Sequence, residues 1–277
     1  MLSLCLAVLS SSLVSIVMRI SGNRVKHNLG MLTMNYIVCA LLAAVFCNKG
    51  QVLPISQLSQ TIALGMVNGV LYLAGFVLMQ LNIRKNGVVL SSIFQKLGLL
   101  VTLVVSVVFY REIPDFLQSA GFLIAIAAIV VMNYQKGSAN VSSKAGLIAM
   151  LLACGMAEAM SKIFTESGPV GQEPQFLFFT FATAMVLCWV LMLMQKQRIG
   201  GKEMLFGTLI AIPNFFSSKF LLGALESLAA VIVYPVFSVS TILAVTLTGV
   251  LLFRERLNRR QWAGMAAILV ALVLLNI

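Results

Sequence analysis

The chain has 277 residues, of which 60% are hydrophobic and only 10% are charged. Soluble domains carry about a quarter charged residues, so this composition leaves too few charges for a water-exposed surface and excludes an ordinary soluble protein. The formal net charge of +11 does not indicate nucleic-acid binding, because the basic residues lie in short loops between apolar runs, as in membrane proteins.

Ten apolar segments are long enough to cross a bilayer as helices, which takes roughly 20 residues each. In chain order, the predicted spans are 2–20, 30–47, 58–81, 87–109, 114–134, 145–165, 175–195, 203–223, 228–252 and 259–276. No Lys or Arg precedes the first segment, which favours a first helix over a cleaved signal peptide. The sequence therefore predicts an all-α integral membrane protein with ten transmembrane helices.

An internal repeat relates residues 88–133 to residues 231–276 without a gap. The matched positions include polar residues and glycines, which coincide by chance less often than apolar residues do. They pair Val88, Phe94, Glu112, Gln118, Ala120, Gly121 and Asn133 with Val231, Phe237, Glu255, Gln261, Ala263, Gly264 and Asn276. The repeat predicts two related halves of five spans each, at 1–135 and 144–277, as in many transporters.

The basic residues predict that the two halves are inverted in the membrane. An odd number of spans in the first half makes the second half enter from the opposite side. The loops after spans 1, 3, 5, 7 and 9 carry 14 of the 19 Lys and Arg residues, and the other four loops carry three. Because basic loops stay in the cytoplasm, both termini are predicted to lie outside it.

Two related motifs end the fourth and ninth spans, Phe109-Tyr110-Arg111-Glu112 and Phe253-Arg254-Glu255-Arg256, and the ninth span contains Tyr234-Pro235-Val236. On these motifs the chain resembles the drug/metabolite transporter superfamily, specifically ten-helix proteins with two EamA-type repeats. The resemblance implies a carrier of small metabolites or drugs in the cytoplasmic membrane, often an exporter. It also implies that the first four spans of each half surround a central cavity. Ten-helix members usually have cytoplasmic termini, so the charge pattern departs from the family here.

The fourth and ninth spans carry matching polar residues. Ser91 and Gln95 lie four residues apart on one helix face, and the repeat places Tyr234 and Ser238 at the same positions. This pattern predicts two walls of one substrate cavity, although hydrogen bonding between helices would give the same pattern.

Other polar residues within the spans are further candidates for substrate binding or movement. Pro235 and Pro213 are candidate helix breaks or hinges, because proline removes a helical hydrogen bond. Asn214 follows Pro213, and Asn68 and Tyr72 lie one turn apart on the third span.

Glu158 lies well inside the sixth span, where a carboxyl group could carry a proton for coupled transport. The competing interpretation is an intrahelical pair with Lys162, four residues later. Lys96 lies near the middle of its span beside Gln95, and a positive cavity would favour a substrate with an acidic group. Lys219, near the end of the eighth span, is expected to extend to the interface.

The sequence predicts no catalytic residues, metal site or cofactor, because it has one histidine and no CxxC pair or phosphate-binding glycine loop. We therefore expect a secondary transporter rather than an enzyme, in contact with the bilayer, a small-molecule substrate and a coupling proton or ion. The alternative is a membrane-embedded enzyme or flippase that acts on a lipid-linked substrate. The chain fits a monomer or a homodimer, and we expect no nucleic-acid partner.

Overall fold

The computed structural model describes residues 1–22, 24–47, 55–86, 91, 94–133, 143–253 and 259–275. Ten helices are numbered here in chain order within these ranges: α1 (Leu2–Ser21), α2 (Asn28–Cys47), α3 (Ile55–Asn86), α4 (Leu99–Tyr110), α5 (Phe116–Asn133), α6 (Lys144–Ser167), α7 (Glu173–Met194), α8 (Gly201–Leu225), α9 (Ala230–Phe253) and α10 (Arg259–Leu275). Seven of the helices described are long and apolar enough to cross a membrane. The predicted all-α membrane fold is confirmed.

The fourth span differs from its prediction. Residues 94–96 are helical, Leu97 and Gly98 form a turn, and α4 begins only at Leu99. The N–H groups of Gly98, Leu100 and Val101 donate to carbonyls three residues earlier, so the normal four-residue helical ladder is interrupted. The predicted span 87–109 is thus helical over Phe94–Tyr110 with a tighter turn at Leu97–Gly98, while 87–90 and 92–93 lie outside the described residues.

Two glycines meet at this interruption. A Cβ atom on Gly155 of α6 would lie 2.6 Å from the Val101 Cβ and would clash with the Gly98 carbonyl oxygen. A Cβ on Gly98 would lie 3.1 Å from the Gly155 nitrogen. The two backbones approach this closely only because neither residue has a side chain.

Packing divides the chain into two compact units. The first unit comprises Met1–Leu73 and Ile163–Glu226, and the second comprises Ala74–Lys162 and Ser227–Ile277. Helices α1, α2, α7 and α8 belong to the first unit, α4, α5, α9 and α10 belong to the second, and α3 and α6 contribute to both. This is a division by packing, whereas the halves at 1–135 and 144–277 are a division by sequence and stay a prediction.

The first unit is built on α2, which packs against α7 and α8, while α1 packs against α8. Aromatic side chains fill its interior, and Phe181 and Phe215 are fully buried. Gly65 and Gly69 of α3 lie against α7, where a Cβ on Gly69 would be 2.5 Å from the Thr180 carbonyl oxygen. Small residues thus allow close helix contact at this position.

The second unit is held by contacts of α5 with α10 and of α9 with α4 and α10. The buried residues between these helices are mostly small: Ala125, Ala128, Val239, Ile268 and Ala271. Gly121 adds a close approach, because its Cβ would lie 3.1 Å from the Ala271 carbonyl oxygen. The small residues of the fifth and tenth spans therefore join these two helices to each other.

The contact between Gly98 and Gly155 can be tested by making the same substitution, glycine to alanine, at Gly155 and at a glycine without close neighbours. We expect Gly155→Ala to lower the stability by about 1–3 kcal/mol, since the added methyl group overpacks a backbone contact. Gly201→Ala should change it by less than about 0.5 kcal/mol, because nothing lies within 4 Å of that position. Thermal unfolding of both variants in detergent measures the difference, and equal midpoints would contradict the proposed role of the contact.

Candidate functional site

The predicted site residues fall in different compact units. The second unit contains Ser91, Gln95, Lys96, Glu158, Tyr234, Pro235 and Ser238, and the first unit contains Asn68, Tyr72, Pro213 and Asn214.

Glu158 of α6 is the centre of the polar group in the second unit. Its Oε2 atom is buried without a hydrogen-bond partner, and Lys96 interacts with its charge. Tyr234 of α9 donates a hydrogen bond of 2.6 Å from its hydroxyl to the Glu158 carbonyl oxygen. We call Lys96, Glu158 and Tyr234 the Glu158 site. A buried carboxylate oxygen without a donor is costly in a low-dielectric environment, so this atom is available for a proton or a ligand.

The interruption of the fourth span lies next to this site in sequence. Gln95 and Lys96 are half-buried and immediately precede the Leu97–Gly98 turn, where the Gln95 carbonyl accepts the Gly98 N–H at 3.1 Å. Ser91 and Ser238 are buried. The fourth span therefore has a tighter helical turn immediately after Lys96, with Gly98 still in the right-handed helical region (φ −51°, ψ −29°).

A second polar group in this unit surrounds Glu112, which follows the end of α4. Its Oε1 atom lies 2.6 Å from Nζ of Lys162, whose side chain is only 2% exposed. Its Oε2 atom accepts the N–H groups of Ala230 at 2.8 Å and Val231 at 3.3 Å, the first two residues of α9. We call Glu112, Lys162 and the Ala230–Val231 amides the Glu112 network. A carboxylate at this position satisfies free N–H groups and favours the positive end of the helix dipole.

Local backbone geometry directs Glu112 to this position. Arg111 ends α4 in the left-handed conformation, with a φ of 55°, and so reverses the chain direction. Lys162 also lies 5.6 Å from the centroid of the Tyr110 ring, close enough for a cation–π contact. Lys162 thus pairs with Glu112 rather than with Glu158 on its own helix. The sequence showed the repeated Glu112 and Glu255 but not the partners of Glu112, and Glu255 lies outside the described residues.

The two candidate prolines lie inside continuous helices. Pro213 is within α8 and Pro235 is within α9, and neither helix is interrupted there. Each proline still lacks the N–H that would bond to a carbonyl four residues earlier. The hinge role of both residues stays a prediction, and the interruption that the structure does show is at Leu97–Gly98.

Polar candidates in the first unit bond mainly to neighbouring helices. Asn214 donates to the Asn35 Oδ1 atom at 3.4 Å, and Asn68 donates to the Thr180 hydroxyl at 3.4 Å. The Oδ1 atom of Asn68 is buried without a hydrogen-bond partner. Tyr72 packs edge-on against Phe181, with ring centroids 6.2 Å apart. Asn68 is therefore the residue of this group that keeps an unused acceptor.

In the part of the chain that the structure describes, no group of three or more His, Cys, Asp or Glu side chains is arranged to hold a metal ion. The Glu158 site offers one carboxylate and one ammonium group, which suit ligand binding and proton transfer.

Comparisons with known proteins identify the family of this chain. Residues 1–134 and 144–277 each match the model of the EamA-like transporter family. An uncharacterized protein of Haemophilus influenzae is 23% identical over 202 residues, which cover 71% of this chain and 69% of that protein. A crystal structure of a protein with 14% identity superposes with a TM-score of 0.77 and covers 99% of this chain and 95% of its own, which shows a shared fold.

The Glu112 network predicts a strong dependence of stability on one ion pair. We expect Glu112→Gln to destabilise the protein by about 3–5 kcal/mol, because it leaves the buried Lys162 ammonium without its carboxylate. A glutamine oxygen can still accept the α9 amides, so the loss reports the ion pair. Glu112→Gln combined with Lys162→Met should recover much of the loss. The exposed Glu166→Gln variant on α6 is the control, and unfolding in detergent is the measurement. Equal stability of Glu112→Gln and Glu166→Gln would contradict this role.

Proposed function

Because the chain belongs to the EamA-like transporter family, whose members are integral membrane transporters of small molecules, we propose that it exports a small organic solute across the cytoplasmic membrane. In this proposal it works as a secondary transporter, by alternating access of two inverted halves. The family match favours this function over an enzyme or flippase for a lipid-linked substrate.

The observation that carries the proposal is the buried Glu158 carboxyl, with one oxygen free of hydrogen-bond donors. An ionisable group within a membrane span is costly, so it is expected to serve a transported ion or substrate. Lys162, which could have neutralised it within α6, is held by Glu112 at 2.6 Å. Glu158 is thereby left to bind a proton in one state and release it in another.

Contacts in the first unit support the inverted repeat. Near the start of α3, Gln60 donates to the Ser167 carbonyl at the end of α6 at 2.8 Å. Near the start of α8, the repeat-related Glu203 accepts the N–H of Lys26 at 3.1 Å, in the loop that follows α1. Gln60 and Glu203 thus both bond to main-chain groups of the other half near a helix end, where Gln60 donates and Glu203 accepts. The asymmetry of basic loops supports termini outside the cytoplasm.

Lys96 supports a substrate with an acidic group. It is half-buried in the middle of a predicted span, where a charged side chain is expected to face a cavity or a partner. We assign substrate contacts to Ser91, Gln95 and Lys96, and to Tyr234 and Ser238 of α9.

In the first unit, Asn68, Tyr72 and Asn214 are the proposed contacts, and Pro213 and Pro235 are proposed hinges. The driving force in this mechanism is an ion gradient or the gradient of the substrate. The functional protein is a monomer or a homodimer.

The test is substrate-dependent proton flux in proteoliposomes, screened with organic acids, amino acids and cationic dyes. We expect wild type to couple protons to a solute with an acidic group, and Glu158→Gln to lower the coupled flux more than about tenfold while solute binding persists, because the amide cannot ionise. Lys96→Met should weaken solute binding.

The control is Glu166→Gln, an exposed carboxyl on the same helix as Glu158. It should transport at the wild-type rate. Solute movement that is unchanged in Glu158→Gln would remove the proton role from this residue. A protein that moves none of the three solute classes would contradict the transport proposal for those classes.

A further inference from the structure

A pocket at the ends of three helices in the first unit is separate from the Glu158 site and from the Glu112 network. Its lining includes Phe46 near the end of α2 and Glu173 at the start of α7. It also includes Phe215 and Lys219 of α8, and Glu226, the residue that follows α8. We call it the Phe46 pocket. Its volume is about 180 Å³. Since one water occupies about 30 Å³ in the liquid, the pocket has room for roughly six waters, or for one small organic molecule.

The apolar wall of the pocket is aromatic. Phe46 and Phe215 stack with ring centroids 5.5 Å apart, and Phe215 is fully buried. The packing of Phe215 against Phe181 fixes this wall from behind. A rigid aromatic face with its negative quadrupole exposed attracts cations.

An ammonium group already occupies this face. Nζ of Lys219 lies 3.5 Å from the centroid of the Phe46 ring, well within the range of a cation–π contact. The Lys219 side chain, which the sequence predicts to extend to the membrane interface, therefore ends against the Phe46 ring. The position of the Lys219 side chain shows that the pocket accepts an ammonium group.

Two carboxyl groups face the same space. Glu173 is half-buried, and Glu226, just beyond the end of α8, is exposed at the mouth. Burial, the charge of Glu173 and a hydrogen bond to it raise the pKa of Glu226, so the two carboxyl groups lie close together. A hydrogen bond between two carboxyl groups requires a proton on one of them, so the pair carries a single negative charge, which can compensate a cation that takes the place of the Lys219 ammonium.

We propose that the Phe46 pocket binds a small organic ammonium ion, which replaces the Lys219 ammonium on the Phe46 ring while Glu173 and Glu226 compensate its charge. Lys219 is then an internal competitor for the ligand. This site is independent of the solute path proposed above, and it is accessible through the exposed Glu226.

Removal of the Lys219 ammonium group is expected to strengthen ligand binding in the Phe46 pocket. We expect Lys219→Met to bind tetramethylammonium about tenfold more tightly than wild type, because the internal competitor is removed. Phe46→Leu should abolish the binding in the Lys219→Met background. Isothermal titration calorimetry of the full chain in nanodiscs measures the affinity without requiring transport, so failure of the transport proposal leaves this result interpretable.

Three controls make the test specific. Lys202→Met removes an exposed lysine from the other end of α8 and should leave the affinity unchanged. The neutral isostere tert-butanol should give no binding signal at the same concentration. Glu226→Gln, at an exposed position that should not affect folding, is expected to weaken tetramethylammonium binding about threefold, as loss of one partly screened charge would. Unchanged or weaker binding in Lys219→Met would overturn the proposal, as would binding that survives Phe46→Leu.

Discussion

The Lys162–Glu112 ion pair is the interaction on which the second unit depends. A buried ammonium ion is tolerated only with a counter-charge and hydrogen-bond partners, and Glu112 supplies the charge while it also binds the first amides of α9. One carboxylate therefore fixes the end of α4, the last part of α6 and the start of α9. Because Glu112 pairs with Lys162, the Glu158 carboxyl of α6 keeps one oxygen without a hydrogen-bond partner and interacts with the charge of Lys96. Lys162, which has a structural role, and Glu158, which has the proposed functional role, are thus separated by one helical turn of α6.

Close backbone contacts set the geometry around that free carboxyl group. At Gly98 and Gly155 the contact coincides with the tight turn in the fourth span. This turn lies beside Lys96 and contains no proline. The prolines, in contrast, are accommodated inside continuous helices. The close contacts of Gly65, Gly69 and Gly121 leave α3 and α5 continuous, so close packing alone does not produce such a turn.

The sequence predicted the helices well, because a bilayer requires long apolar runs and the runs are separated by polar loops. It also located Glu158 and Lys96, since charges inside apolar runs are conspicuous. It could not give the Lys162–Glu112 pair, because the favourable spacing of Glu158 and Lys162 on one helix pointed to a different partner. The Leu97–Gly98 break and the Phe46 pocket depend on residues from distant segments, and no local pattern marks such contacts.

The length of α3 has a consequence for the lipid around the protein. Its 32 residues measure about 48 Å at 1.5 Å per residue, whereas the hydrocarbon layer is about 30 Å thick. The helix must tilt or extend into the headgroup layer, and its last turn carries the exposed Arg84 and Lys85. Anionic headgroups attract such residues. Bilayer thickness and headgroup charge therefore act on α3, the helix that begins in the first unit and ends in the second. A change of lipid composition is thus expected to change the tilt of this helix.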